Sequence, residues 1–381
     1  MKLCFSYSFP KYKPKGDVLQ FLILLKAIEQ KMASVFSQPK KHFQIDCVLP
    51  YDFQNGQDNF LFKHVRFIKS KQLPKTISKL NKKENYDYIF IRCRENSEDV
   101  LQVIKENKNL ASKLLVLLLH YNLDDSGEMK DIIKVIENSR MVFLQTLPWK
   151  ERLKAYLLQQ GFREDVLDEK LQILPQYIES SQITDPVPYM SNPPQLTMTG
   201  VLRSRYGLPV AIQAMKLIRN IHSEVYLHLA YPSVAPDFSE QADLHISAPE
   251  VKNHGQMSMW ETKELILKAG IGLALIYDDT NNQNPSYSYL TRILEYASLG
   301  VPVITTKTIG NIHLLGKDYP LFVEDENDIV QIYQKLTNAE FYQEMSSLIR
   351  NIGHRFVSEV AIEDFWLTLQ NDLNKNFEGK G

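Results

Sequence analysis

Short apolar runs alternate with longer amphipathic stretches along the whole chain, and this rhythm restricts the fold more than any other feature. A run too short for a helix, then a helical pattern, then another such run, is the mark of a βαβ unit, because parallel neighbours need a crossover between them. In the first half the runs fall at residues 2–8, 42–49, 88–92, 113–120, 141–145 and 171–174, with helical patterns such as 98–106 and 150–160 between them. A Pro/Gly/Lys loop after the first run ends at Gly16, and Asp17 is placed to cap a helix carrying Leu19, Leu22, Leu25 and Ile28. The rhythm breaks at 180–194, where Pro186, Pro188, Pro193 and Pro194 stand among Ser, Thr and Asn, the composition of a linker. It resumes with strands expected at 196–199, 225–230, 271–276, 302–306 and 321–323, and helices at 210–219, 261–269, 289–299 and 328–336. At 381 residues the chain has room for two cores. The expectation is an α/β protein with a Rossmann-like domain over 1–180, a linker over 181–194 and a second Rossmann-like domain over 195–360.

Three cysteines, Cys4, Cys47 and Cys93, are odd in number and have no CxxC spacing, which argues against a disulfide framework or a zinc site. The first ten residues do not read as a signal peptide, and the longest apolar run, 114–119, is too short to span a bilayer. A cytoplasmic location is expected. The net charge of −1 hides an asymmetry: residues 1–180 carry +7 and the remainder −8. Much of the excess lies at 63–83, where Lys63, Arg66, Lys69, Lys71, Lys75, Lys79, Lys82 and Lys83 have no acid among them. Val65, Phe67, Ile68, Leu73, Ile77 and Leu80 are interleaved with these charges. Such a segment suits an anionic membrane surface, placing the protein at the inner face of the membrane, or a phosphorylated acceptor; it equally suits a solvated lysine face. Nucleic acid is not an expected partner, since no recognised binding motif accompanies the patch.

The chemistry concentrates at 271–306: strand, polar loop, helix, Gly300 and a second strand. The loop at 277–288 feeds the helix at 289–299, whose free N–H groups and positive dipole end suit a diphosphate. Ser286 and Ser288 are placed to cap that helix or to donate to phosphate. Glu295 follows about two turns later, where a carboxylate can accept from a ribose diol, and Arg292 precedes it on a neighbouring face. Gly300 is positioned to end the helix. Trp149, Trp260 and Trp366 read as core or interdomain packing rather than sugar platforms.

The run Arg292-Ile-Leu-Glu-Tyr-Ala-Ser-Leu-Gly-Val-Pro-Val-Ile304 resembles the KLLEYLAAGKPVI signature of the retaining GT-B glycosyltransferases (glycosyl transferases group 1, family 4-like). The turn Gly200-Val-Leu-Arg-Ser-Arg-Tyr-Gly207 resembles the loop that opens that family's C-terminal domain. His120 matches its strand-end histidine, and Ile173-Leu-Pro-Gln-Tyr-Ile178 its IPNGVD segment. The four matches come in the family's order over residues 1–335. The resemblance implies a GT-B fold, two Rossmann-like domains facing each other across a cleft, with a last helix within 361–381 packing back on the first domain. It implies Glu295 on the donor's ribose and Arg203 or Arg205 of the Gly200–Gly207 turn on its diphosphate. His120 would lie near the transferred sugar, Gly16 near the phosphates, and Gly255, before the helix at 261–269, near the nucleobase, with the His254 side chain incidental. It also implies that neither metal nor cofactor is needed, because protein cations and helix dipoles neutralise the leaving group.

The sequence departs from the family pattern at four points, one of them the N-terminal double glycine, which is here Gly16 alone. Tyr287 stands eight positions before Glu295, where the family has its first glutamate, and Val201 and Tyr206 replace the usual arginine and lysine of the turn. The function implied is metal-independent retaining transfer of a sugar from a nucleotide donor, a UDP-sugar first among them, to a glycan, glycolipid or protein-linked acceptor. Two alternatives share the architecture: a non-catalytic GT-B subunit that partners an active glycosyltransferase or forms an oligomer, and a nucleotide-sugar epimerase.

Overall fold

The computed structural model describes residues 1–7, 15–36, 43–50, 53, 61–93, 98–106, 108–119, 121–178, 193–277 and 287–378. They form two compact units, one of Met1–Tyr177 with Ser358–Gly381 and one of Ile178–Val357. The expected linker at 181–194, apart from Pro193 and Pro194, and the loop at 8–14 lie outside the described residues, as do His120 and Ser286.

The first unit opens with β1 (Lys2–Tyr7), α1 (Lys15–Val35), β2 (Gln44–Leu49), β3 (Val65–Lys69), α2 (Leu73–Glu84) and β4 (Tyr88–Cys93). It continues through α3 (Glu98–Glu106), β5 (Leu114–Leu118), α4 (Ser126–Glu137), β6 (Met141–Leu144), α5 (Leu147–Gln159), α6 (Glu164–Lys170) and β7 (Leu171–Ile173). All strands run parallel in the order β3-β2-β1-β4-β5-β6-β7. Every residue of β4 and β5 is buried, as a parallel sheet covered on both faces requires. The chain's last helix, α14 (Ser358–Glu378), belongs to this unit, and its Phe365 packs on Phe90 and Phe143 at 5.9 and 5.1 Å between ring centroids. Asp372 locks it in place: it is buried and accepts from the Tyr88 hydroxyl at 2.6 Å and from Arg140 Nε at 2.7 Å.

Two expectations are corrected, the start of α1 and the placing of Trp260. α1 begins at Lys15, so Gly16 and Asp17 lie inside its first turn rather than ahead of it. The basic stretch 63–83 has regular structure. It forms β3, an edge strand, and α2, which turns Leu73 and Ile77 into the core. Phe67 packs beneath against Phe53 and Phe62, and Arg66 is held by the buried Asp46 at 2.8 Å. The apolar half of the pattern is consumed by the sheet, and lysine remains on the surface. Trp149 and Trp366 are buried, but Trp260 is 69% exposed, its indole donating to Glu264 at 2.8 Å. No helix among the described residues is long and apolar enough to cross a membrane.

The second unit contains β8 (Gln195–Thr199), α7 (Leu208–Arg219), β9 (Leu227–Ala230), α8 (Ser239–Ile246), β10 (Val251–Gly255), α9 (Met259–Ala269) and β11 (Gly270–Ala274). After these come α10 (Thr291–Ser298), β12 (Val303–Thr306), α11 (Ile309–Leu315), β13 (Phe322–Val323), α12 (Glu326–Leu336) and α13 (Ala339–His354). The parallel order is β10-β9-β8-β11-β12-β13. The chain lays down β8 in the middle, builds outward to β10, then returns to place β11 on the other side of β8. The winding direction therefore switches between β8 and β11, and the carboxyl ends of strands at such a switch point are where open parallel sheets bind ligands.

Candidate functional site

The two loops that flank this switch point carry most of the residues singled out in the sequence. After β8, Gly200 has φ +92° and its N–H donates to Ala230 at 3.0 Å. A Cβ on Gly200 would lie 3.4 Å from the Arg292 guanidinium, so the glycine makes room for that cation. Gly207 closes the turn at φ +68°, and a Cβ there would come within 2.7 Å of the Tyr277 ring and 2.8 Å of Leu275. Only glycine fits both the backbone and the space. Tyr277, at the start of the loop after β11, also donates its N–H to the Arg205 carbonyl at 2.8 Å. The loops are thus tied together at the switch point.

Tyr206 gathers the cations. Its ring faces the Arg292 guanidinium at 4.7 Å and that of Arg205 at 5.5 Å. Arg292 is 7% exposed, and its Nη1 is buried with no hydrogen-bond partner among the described residues. Arg205 Nε and the Tyr277 hydroxyl share that condition. Burial, with Asp325, Glu326 and Asp328 nearby, pushes the Tyr277 phenol up to about 12, so it remains a donor at neutral pH. Three buried donors without acceptors, two of them on cations, form an arrangement that an anion would complete. Arg203, at the start of the turn, is half-buried and makes no such ring contact among the described residues.

α10 starts at Thr291, two residues later than the pattern indicates, and its N-cap is Leu290 with no side-chain cap. Ser288 is therefore not the capping residue. Gly310 explains the delay: a Cβ there would collide with the Ser288 carbonyl, so the chain passes too close to α11 to have begun coiling. The other end follows expectation. Gly300 has φ +66°, and the bonds from Gly300 N–H to Ala297 and from Val301 N–H to Tyr296 make a Schellman ending. Glu295 reaches solvent, yet the protein around it desolvates its carboxyl and raises it above the usual carboxylate range, while Arg292 and Lys263 oppose the shift. Tyr296 points the other way and donates to the Thr197 carbonyl at 3.2 Å.

Gly255 ends β10 at φ +62°, with its N–H bonded to the Asn253 side chain at 2.9 Å and its carbonyl accepting from Tyr231 at 2.8 Å. The neighbouring His254 is not incidental to the structure. Its Nε2 meets Nδ1 of His228 at 3.0 Å, with the rings stacked 5.2 Å apart. Burial, then His254, Lys252 and Lys268, lower His228 to about 4. The unfolded ring, at an ordinary 6.5, takes a proton that the folded ring refuses, so this contact loses stability as pH falls from about 6.5 toward about 4. His228→Gln should flatten the acid limb of the unfolding midpoint across that window; an unchanged limb would contradict the assignment.

Sequence reasoning missed Tyr277 and Lys263. Tyr277 ends an apolar run, where only its contact with Gly207 marks it as part of the site. No protein-family model matches the chain, and no curated protein matches it in sequence. Its fold does match solved structures. A glycosyltransferase from Rickettsia africae ESF-5 aligns over 98% of both chains at 14% identity and TM-score 0.70. A mutant of S. aureus TarM in complex with Fondaparinux, alpha-GlcNAc-glycerol and UDP aligns over 97% of this chain and all of that one, at 11% identity and TM-score 0.64. An alpha-glucosyltransferase (AGT) in complex with UDP aligns over 97% and 100%, at 12% identity and TM-score 0.60. The architecture is the GT-B fold of these proteins.

Proposed function

We propose that this GT-B protein is a retaining, metal-independent glycosyltransferase whose second unit binds a nucleoside diphosphate sugar, a UDP-sugar in the first instance. The observation that carries the reading is the group of unpaired buried donors, Arg205 Nε, Arg292 Nη1 and the Tyr277 hydroxyl, at the switch point. A diphosphate supplies the acceptors this group lacks, and its two guanidiniums stabilise the charge that develops on the departing nucleotide. Glu295, on the same helix as Arg292, takes the ribose hydroxyls. Hydrogen bonds donated by the diol favour the ionised carboxylate and oppose the desolvation that raises it. The likeness of residues 292–304 to the retaining family supports the stereochemical outcome, and solved structures of the same fold contain UDP. Acceptors of the glycan, glycolipid or protein-linked kind remain the proposal for the first unit.

Donor hydrolysis without acceptor tests the reading. UDP-sugars should be hydrolysed slowly, and Glu295→Gln should raise the donor KM about tenfold with a small effect on kcat, since a ribose contact is made equally in ground and transition states. Failure of UDP, GDP and their sugars to bind at all would remove the proposal. One observation favours a second reading: Tyr287 stands where the resembling family has a glutamate. A non-catalytic subunit that partners an active glycosyltransferase would bind UDP with neither hydrolysis nor transfer.

A further inference from the structure

A cavity of about 310 Å³ lies in the first unit at the amino ends of β6 and β7, away from the carboxyl edge of the sheet. Arg140 and Met141 stand beside it where β6 begins, and Val166, Asp168 and Gln172 line it from α6 and β7. Thr368, Asn371 and Asp372 form the facing wall, and their spacing puts them on one side of α14. The two walls are far apart in the chain, so a molecule bound between them joins α14 to α6. The volume is that of a small-ligand site.

The charges of the wall are already matched. Arg140 holds Asp372 through Nε at 2.7 Å and through Nη2, and Glu169 stands near the same guanidinium. Asp168 is paired with Lys154 at 2.7 Å. Lys170 gives its ammonium protons to the carbonyls of Ile136, Glu137 and Ser139 at 2.7, 2.9 and 3.0 Å. An entering ion would leave water without finding a spare counter-charge, so the wall suits a neutral ligand.

What the wall keeps in reserve is hydrogen-bonding capacity of both kinds. Among the described residues Arg140 Nη1 has no partner, and neither has the exposed Asn371 amide. Gln172 spends Nε2 on the Asp168 and Glu169 carbonyls at 2.9 and 3.0 Å and keeps Oε1 free, while Asp168 keeps Oδ2. The guanidinium and amide N–H groups donate, the amide and carboxylate oxygens accept, and a hydroxyl is the neutral group that answers both. Met141 and Val166 add an apolar strip against which C–H groups can lie.

We propose that this cavity binds a neutral polyhydroxyl compound of monosaccharide size, which clamps α14 to α6. Its hydroxyls accept from Arg140 Nη1 and the Asn371 amide and donate to Gln172 Oε1 and Asp168 Oδ2. The binding is independent of the glycosyl-transfer reading, since the cavity lies at the end of the sheet away from the strands' carboxyl ends.

Methyl NMR on the full chain, labelled with methyl-¹³C methionine, tests it, because Met141 lies in the wall and Met141→Leu identifies its signal. The probes are glucose, galactose, N-acetylglucosamine and mannitol. At least one should move the Met141 methyl saturably, with a Kd on the order of 1 mM. Glucose 6-phosphate should bind no more tightly than glucose. Asn371→Ala removes an exposed amide and should weaken the binding about tenfold. Val166→Phe, which fills the cavity, should abolish it while the other methionine signals keep their positions. A Met141 signal that none of the probes moves overturns the proposal. A shift that grows without saturation, or that is undiminished in Asn371→Ala, overturns it too and leaves a water-filled crevice. Tighter binding of glucose 6-phosphate overturns the neutral class of ligand.

Discussion

Replacing Arg292 by methionine is expected to weaken UDP binding about 100-fold while leaving the fold close to its original stability. The two effects separate because the guanidinium is placed at a cost to the free protein. Its Nη1 is buried without an acceptor, and such a group costs about 1–3 kcal/mol. Its stacking on Tyr206 returns about 0.5–2 kcal/mol, which methionine would recover in part through packing. The terms nearly cancel, so stability should change by no more than about 1 kcal/mol. Binding has no such offset, since the lost contact is charge-assisted and desolvated. Calorimetric titration with UDP, beside a thermal melt, checks both halves. A large loss of stability with unchanged affinity would make Arg292 a structural residue instead.

Asp372→Ala should destabilise the fold by about 3–5 kcal/mol. The carboxylate is 3% exposed and accepts from both Tyr88 and Arg140, so alanine leaves a buried hydroxyl unpaired and a cation without its counter-charge. The loss falls on the first unit, because α14 packs its Phe365 and Trp366 into that unit's core. For a unit of this size the transition should move down by about 10 °C or more. UDP affinity, carried by the second unit, should be unaffected in the cold. A transition within about 1 °C of the original would show that ring packing alone retains the helix.

The central strands were legible in the sequence because parallel strands buried on both faces must be continuous apolar runs, as in Leu114–Leu118. The two strands that the pattern did not reveal, Val65–Lys69 and Val251–Gly255, are the edges of their sheets. An edge strand has one neighbour and an open face, so it carries Arg66 and Lys69, or Lys252 and His254, and loses its apolar signature. At the site, motif spacing located Glu295, Arg292 and the Gly200–Gly207 turn. It could not select among Arg203, Arg205 and Arg292, because the meeting of Arg292 with Arg205 on the Tyr206 ring joins residues far apart in the chain. Tyr277 was illegible for the same reason, since its role follows from the collision that keeps position 207 a glycine.

The central claim is that the unpaired donors of the second unit await a diphosphate. A crystal structure of the protein with UDP tests it most directly. The expected result places diphosphate oxygens within hydrogen-bond distance of Arg292 Nη1 and Arg205 Nε, with the ribose on Glu295. UDP bound elsewhere, with both guanidiniums still without acceptors, would contradict it.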